Sequence, residues 1–243
     1  MFPLRDHNPS LRPAFVTWAL IATNLALFFA TMPWGGNMEE LWFSLALYPG
    51  MVTHGQMLIG LVSHMFLHAG VAHIVGNMLF LWIFGDNLEE ALGHFGFALL
   101  YFGAGLAAAA AQIVAEPASM VPMVGASGAI AGVMGGYLLL FPRARVDVLF
   151  IFIVFFKVIP VPAWLVLGVW FALQLFNGTS ADLVGDGVAY WAHIGGFVTG
   201  LALTLPVWAR RGATRFWARS GGHPDHPAST YPSRIPTVPR RRK

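Results

Sequence analysis

All 14 lysine and arginine residues of this 243-residue chain lie at Arg5, Arg12, Arg143, Arg145, Lys157 or beyond Trp208. The tracts between them are long and mostly apolar. Charged residues make up 10% of the chain and hydrophobic residues 57%, whereas a soluble domain is roughly 25% charged. Such a chain buries its surface in lipid, and helices are the simplest way to satisfy its backbone there, so it reads as an all-α, multi-spanning membrane protein. No cysteine occurs. That excludes a disulfide, a thiol nucleophile and a Cys-ligated metal.

Six transmembrane helices can be drawn. The first runs from Ala14 to Met32; it is too long for a signal-peptide core and lacks a small-x-small cleavage site. Its Asn24 is expected to face the bundle. The connector from Pro33 to Gly70 is too broken to span, and its Trp34, Trp42, Phe43 and Tyr48 suit a long interfacial first loop with short helices. A second span covers Val71 to Leu88 and a third Phe95 to Val114. Pro117 and Pro122 then keep the next connector from being helical throughout. The fourth span, Ala126 to Phe141, is about 16 residues, or ~24 Å, against a hydrocarbon core of ~30 Å. One of its ends should therefore lie below the membrane surface, beside a wet cavity or buried in protein. The apolar tract from Val146 to Phe156 is too short to cross and reads as interfacial or re-entrant. A fifth span covers Pro162 to Phe176 and a sixth Gly187 to Trp208. The chain thus divides into an N-terminal segment, 1–13, a transmembrane domain, 14–208, and a basic tail, 209–243, expected to be disordered.

With six spans, every basic residue falls on the side of the N-terminus. The positive-inside rule then puts both termini in the cytoplasm. The tail reads as an orientation signal in contact with anionic lipid rather than as a nucleic-acid binder.

Four polar groups share one depth in this topology. His73 and Asn77 open span 2 one turn apart, Ser127 opens span 4, and His193 lies near the start of span 6. Gly128, Gly132 and Gly136 recur every fourth residue and leave one face of span 4 nearly bare; Gly196 and Gly200 do the same on span 6. Packing of these two stripes would carry His193 towards Ser127. Alone, Ser127 reads more readily as a small residue or cap at a helix end than as a nucleophile, and Ala129 departs from the G-x-S-x-G nucleophile elbow. Its partners make the case. His193 would act as general base and then general acid, while His73, Asn77 and the Ser127 backbone N–H would form an oxyanion hole. Asp182 and Asp186 belong to a loop, and no carboxylate lies in a span near His193, so the reading is a Ser-His dyad. His64 and His68 are assigned to loop structure or cavity hydration, and Glu89 and Glu90 to hydrogen-bonding anchors at the inner side. No metal or other cofactor is implied, since H-E-x-x-H is absent.

With these residues in place, the chain resembles the rhomboid family of intramembrane serine proteases. The matching stretches are His64-x-x-x-His68-x-x-x-x-His73-x-x-x-Asn77, Gly125-Ala126-Ser127-Gly128 and Ala192-His193-Ile194-Gly195-Gly196-x-x-x-Gly200. The resemblance implies a six-helix core that cleaves transmembrane segments of membrane-protein substrates near their outer end. It assigns Ser127 as nucleophile, His193 as base, and His73 with Asn77 to the oxyanion site. Substrates would enter laterally from the bilayer, past span 5 and the loop before span 6, and the expected location is a bacterial inner membrane. Two positions depart from the family pattern. Ala131 stands where an aromatic often supports the histidine, so another group must orient His193, and the stretch from Gln56 to Gly60 lacks the usual Trp-Arg pair. The competing reading is a catalytically silent, rhomboid-like protein that binds membrane clients.

Overall fold

The computed structural model describes residues 2–8, 10–31, 38–152, 155–180 and 187–224. The expectations attached to Trp34, to Asp182 and Asp186, and to the tail beyond residue 224 lie outside the described residues.

A short strand, β1 (Phe2–Asp6), precedes the first apolar helix, α1 (Phe15–Thr31). Thr17, Leu20, Asn24 and Phe28 form its buried stripe, at the three-to-four-residue spacing of one helix face. Asn24 is fully buried there and donates to the Leu20 carbonyl at 2.9 Å. The connector that follows folds into α2 (Met38–Leu45), α3 (Pro49–Thr53), α4 (Gly60–Ser63) and a 3-10 turn, His64–Phe66.

The next helical run, α5 (Val71–Ala115), has 45 residues. Drawn straight it would reach roughly 68 Å, more than twice the hydrocarbon core. It is broken at Gly93, whose φ of 72° and ψ of 163° are open to glycine and strained for other residues. The chain reverses at this break. His73 and Asn77, early in the first arm, line the same cavity as Ala108 and Gln112, late in the second. The break falls between the ends expected for spans 2 and 3.

α6 (Ser127–Leu140) is the enclosed element: every residue from Gly128 to Tyr137 is buried. α7 (Ala163–Ser180) lies at the periphery, with only Ala163, Leu167, Gln174 and Gly178 buried. α8 (Tyr190–Arg210) packs on α6 at backbone distance. A methyl group at Gly196 would strike the Gly128 carbonyl, and one at Gly200 the Gly132 carbonyl. Val71–Ala115, Ala163–Ser180 and Tyr190–Arg210 are long and apolar enough to cross a membrane; α1 and α6 are shorter apolar helices.

The structure corrects the all-α expectation at the end of the bundle remote from Ser127. The tract expected to be interfacial or re-entrant forms a hairpin of β2 (Arg145–Phe152) and β3 (Phe155–Pro162), and β1 completes a three-stranded antiparallel sheet in the order β1-β2-β3. The reason is chemical: β-branched and aromatic residues dominate the tract and favour a pleated surface. Pro160 and Pro162 fit because β3 is an edge strand, where a missing N–H leaves no gap in the ladder. Arg5 stands opposite Asp147 and donates to it at 2.9 Å, while His7 meets the other carboxylate oxygen at 2.6 Å. Burial by itself would raise the Asp147 carboxyl, but the bonds from His7 and Arg5 hold it below the ordinary range.

The segment expected to be disordered after Trp208 also contains structure. α9 (Thr214–Ser220) folds against the bundle, with Trp217 Nε1 donating to the Leu139 carbonyl at 2.9 Å. Glu89 serves as an anchor: its carboxylate accepts from the Val16 N–H at 2.8 Å and from the Thr17 N–H and hydroxyl at 2.7 Å each. These are free donors of the first turn of α1, which a carboxylate satisfies well.

Candidate active site

The site is assembled at the start of α6. Gly125 precedes it with a φ of 124°, a conformation that side-chain-bearing residues avoid. Space is equally limiting, since a Cβ there would lie 2.7 Å from His73 Nε2 and 3.5 Å from Ser127 Oγ. The Gly125 N–H donates to the His64 carbonyl at 2.8 Å, tying the first-loop turn to the serine. His64 is itself buried and bonds through Nδ1 to the Gly60 carbonyl at 2.8 Å. Burial pushes it down to about 4, so it is a neutral strut. His68 is buried and packs edge-on against His73, with ring centroids 5.1 Å apart.

Ser127 opens α6, and His193 reaches it from α8. His193 Nε2 lies 2.8 Å from Ser127 Oγ. The glycine contacts bring the two helices this close. On the other side of the imidazole, Nδ1 lies 2.8 Å from Gln174 Oε1 of α7, and the Trp170 ring packs at 5.7 Å between centroids. The aromatic neighbour of the base thus comes from α7, while Ala131 is buried within α6. Neither Gln174 nor Trp170 was selected from the sequence. A signal existed in Gln174, an amide inside an apolar span, one turn from an aromatic.

His73 and Asn77 complete the arrangement from α5. The Ala69 N–H donates to His73 Nδ1 at 3.3 Å, so the neutral ring carries its proton on Nε2, the nitrogen that faces Gly125 and Ser127. Asn77 gives one amide hydrogen to the His73 carbonyl at 3.0 Å and has a second to offer. Both line a cavity of about 900 Å³ together with Gln112, Ser127, Trp170 and His193. Gln112 accepts from the Ala192 N–H at 3.2 Å and so joins the second arm of α5 to the first turn of α8. Among the described residues, no three His, Asp or Glu side chains converge as a metal ion would require.

The arrangement presents a serine hydroxyl beside an imidazole nitrogen, with an imidazole N–H and a carboxamide N–H lining the same cavity. This set can remove a proton from an oxygen nucleophile and stabilise an oxyanion.

A family model described as the Rhomboid domain matches residues 55–210. The chain is similar to Rhomboid protein 1, mitochondrial, of Saccharomyces cerevisiae, with 31% identity over 199 residues, covering 78% of this chain and 52% of the yeast protein. It is similar to Rhomboid protease GluP of Bacillus subtilis, with 30% identity over 197 residues, covering 80% of this chain and 36% of that protein. Rhomboid protease GlpG of Klebsiella pneumoniae is 24% identical over 191 residues, covering 78% and 62%. The chain therefore spans about half of the yeast relative and about a third of the Bacillus one.

Proposed function

Because the chain belongs to the rhomboid family, we propose that it is an intramembrane serine endopeptidase cleaving transmembrane segments of membrane-protein substrates. The observation that carries this reading is the 2.8 Å approach of His193 Nε2 to Ser127 Oγ. The protease names of two of the relatives support it.

The reaction follows from the groups present. Ser127 Oγ attacks the substrate carbonyl carbon as its proton passes to His193 Nε2. The carbonyl oxygen becomes an oxyanion, met by N–H groups of His73, Asn77 and the Ser127 backbone at the positive end of α6. The C–N bond then breaks, the amine leaves with the proton held by His193, and an ester on Ser127 remains. Water attacks the ester, giving a proton to His193; that proton returns to Ser127 as the new carboxyl terminus departs. A substrate helix must first unwind, because its carbonyls are otherwise held in hydrogen bonds.

Within this reading α1, both arms of α5, α6, α7 and α8 make six crossings, with both termini in the cytoplasm of a bacterial host. The cavity at Ser127 then opens to the outer side. Lateral entry is favoured beside α7, the span with the fewest buried residues of those long enough to cross.

The test is labelling of the detergent-purified protein by a fluorophosphonate probe together with cleavage of a transmembrane substrate. Ser127→Ala and His193→Ala should each abolish both while leaving a folded protein. A parent that folds but is neither labelled nor active would identify a silent client-binding protein.

A further inference from the structure

We propose that Gln174 is the positioning residue of the base: its side-chain oxygen selects the His193 tautomer and, with Trp170, sets the rotation of the ring. The inference rests on the assignment of His193 as base for Ser127.

A neutral imidazole carries one proton, and only the form protonated on Nδ1 offers a free Nε2 lone pair to the serine. The partner of Nδ1 therefore decides whether the pair can react. Here that partner is Gln174 Oε1 at 2.8 Å, an acceptor. The orientation of the carboxamide is itself directed, because its Nε2 faces the Trp170 carbonyl at 3.5 Å, one turn earlier on α7. Oxygen is thus turned to the imidazole and nitrogen away from it. Trp170 adds its ring beside the imidazole, tilted at 40°, and restricts its swing.

An amide in this position has a physical rationale. A buried carboxylate would have to be taken out of water as a charge, at a large desolvation cost. A carboxamide supplies the same acceptor geometry without that cost. When His193 takes the serine proton, Nδ1–H keeps its partner, so the imidazolium forms without reorganising its outer side.

The position of Gln174 carries a second consequence. On α7 only Ala163, Leu167, Gln174 and Gly178 are buried, with Trp170 and Phe171 packing on α8 beside them, and Gln174 is the polar member of the buried set. The remaining faces carry exposed Trp164, Leu165, Val169, Leu173 and Phe176. The span that orients the base is thus lightly held, and displacing it outward would remove the acceptor from Nδ1 and the ring from the imidazole together. Base alignment is coupled to the seating of α7.

The experiment compares Gln174→Met, which keeps length and loses the acceptor, with Gln174→Glu, which keeps an acceptor and adds charge. Gln174→Met should lower kcat about 10²-fold, as expected for a misoriented reacting group, with KM within about twofold and a thermal midpoint in detergent near that of the parent. Gln174→Glu should recover most of the rate, and its pH–rate profile should move its acidic limb to higher pH. A nitrogen-15 spectrum of His193 should show the Nδ1–H tautomer in the parent and a mixture in Gln174→Met. A parent in the Nε2–H tautomer, an unchanged kcat in Gln174→Met, or a loss confined to KM would overturn the inference, and the spectrum decides even if Gln174→Met is unstable. If the parent reacts with the fluorophosphonate and Gln174→Met reacts at the same rate, the inference alone fails. If Ser127→Ala reacts as well as the parent, the reading beneath it fails too.

Discussion

Ser127 gains its chemical setting from residues that leave room for it. Gly125, at a φ of 124°, lets His73 Nε2 and Ser127 Oγ approach the same point. The contribution of each oxyanion donor can be separated by mutation. One such donor typically contributes ~10² to 10³ in turnover. Asn77→Ala should therefore reduce kcat within that range, with KM little changed, and remain measurably above Ser127→Ala. Steady-state cleavage assays check this. A KM effect without a kcat effect would assign Asn77 to substrate binding. Ser127, His193, His73 and Asn77, the residues proposed for the dyad and the oxyanion site, could be picked out in the sequence because each lies in a motif of its own helix. Gln174 was not, because its meaning depends on what stands opposite it in space.

At the scale of elements, two contacts hold the bundle, one between the bodies of α6 and α8 and one at the sheet. Gly200 lies against the Gly132 carbonyl with no room for a methyl group. Gly200→Ala should force α8 away from α6, destabilising the protein by about 1–3 kcal/mol, as overpacking does. It should also weaken activity by lengthening the Ser127–His193 contact. Thermal unfolding in detergent and a cleavage assay measure the two effects. At the end that carries the sheet, Asp6 closes β1, accepting from Asn87 Nδ2 at 2.7 Å and from the Tyr137 hydroxyl at 3.3 Å. Burial, and then the nearby Asp86, raise its carboxyl from 3.8 to about 7. Its folded form binds the proton more tightly than its unfolded form. The stability it contributes is complete below pH ~4 and lost as pH rises through about 7. Asp6→Asn should therefore flatten the stability profile between these limits and exceed the parent at pH 8. Thermal midpoints of parent and variant across that range provide the check; parallel curves would exclude it.

For the whole molecule, the distribution of charge is what bears on the proposed orientation. The basic residues cluster at the two termini and around the β2–β3 hairpin. In the proposed topology all of these meet the cytoplasm. A green fluorescent protein fused to the C-terminus should fluoresce and an alkaline phosphatase fusion should be inactive; the reverse would place the C-terminus outside, through an inverted bundle or an odd number of crossings, and overturn the proposed topology. The sheet adds a constraint on this side, since β1 and β2 join residues 2–6 to residues 145–152 and so hold the start of the chain to the connector after α6.

What the sequence determined by itself is what repeats within a single segment. Apolar length marked the apolar helices, proline marked the break before α6, and four-residue glycine spacing marked the bare faces of α6 and α8. These signals are local because helix geometry brings every third or fourth residue onto one face. The tertiary structure alone decided which distant groups meet. It paired β1 with a strand some 140 residues away, folded α9 onto α6, and set Gln174 against His193 Nδ1. Each of these depends on how whole helices are seated, and no spacing within one helix encodes the partner on another.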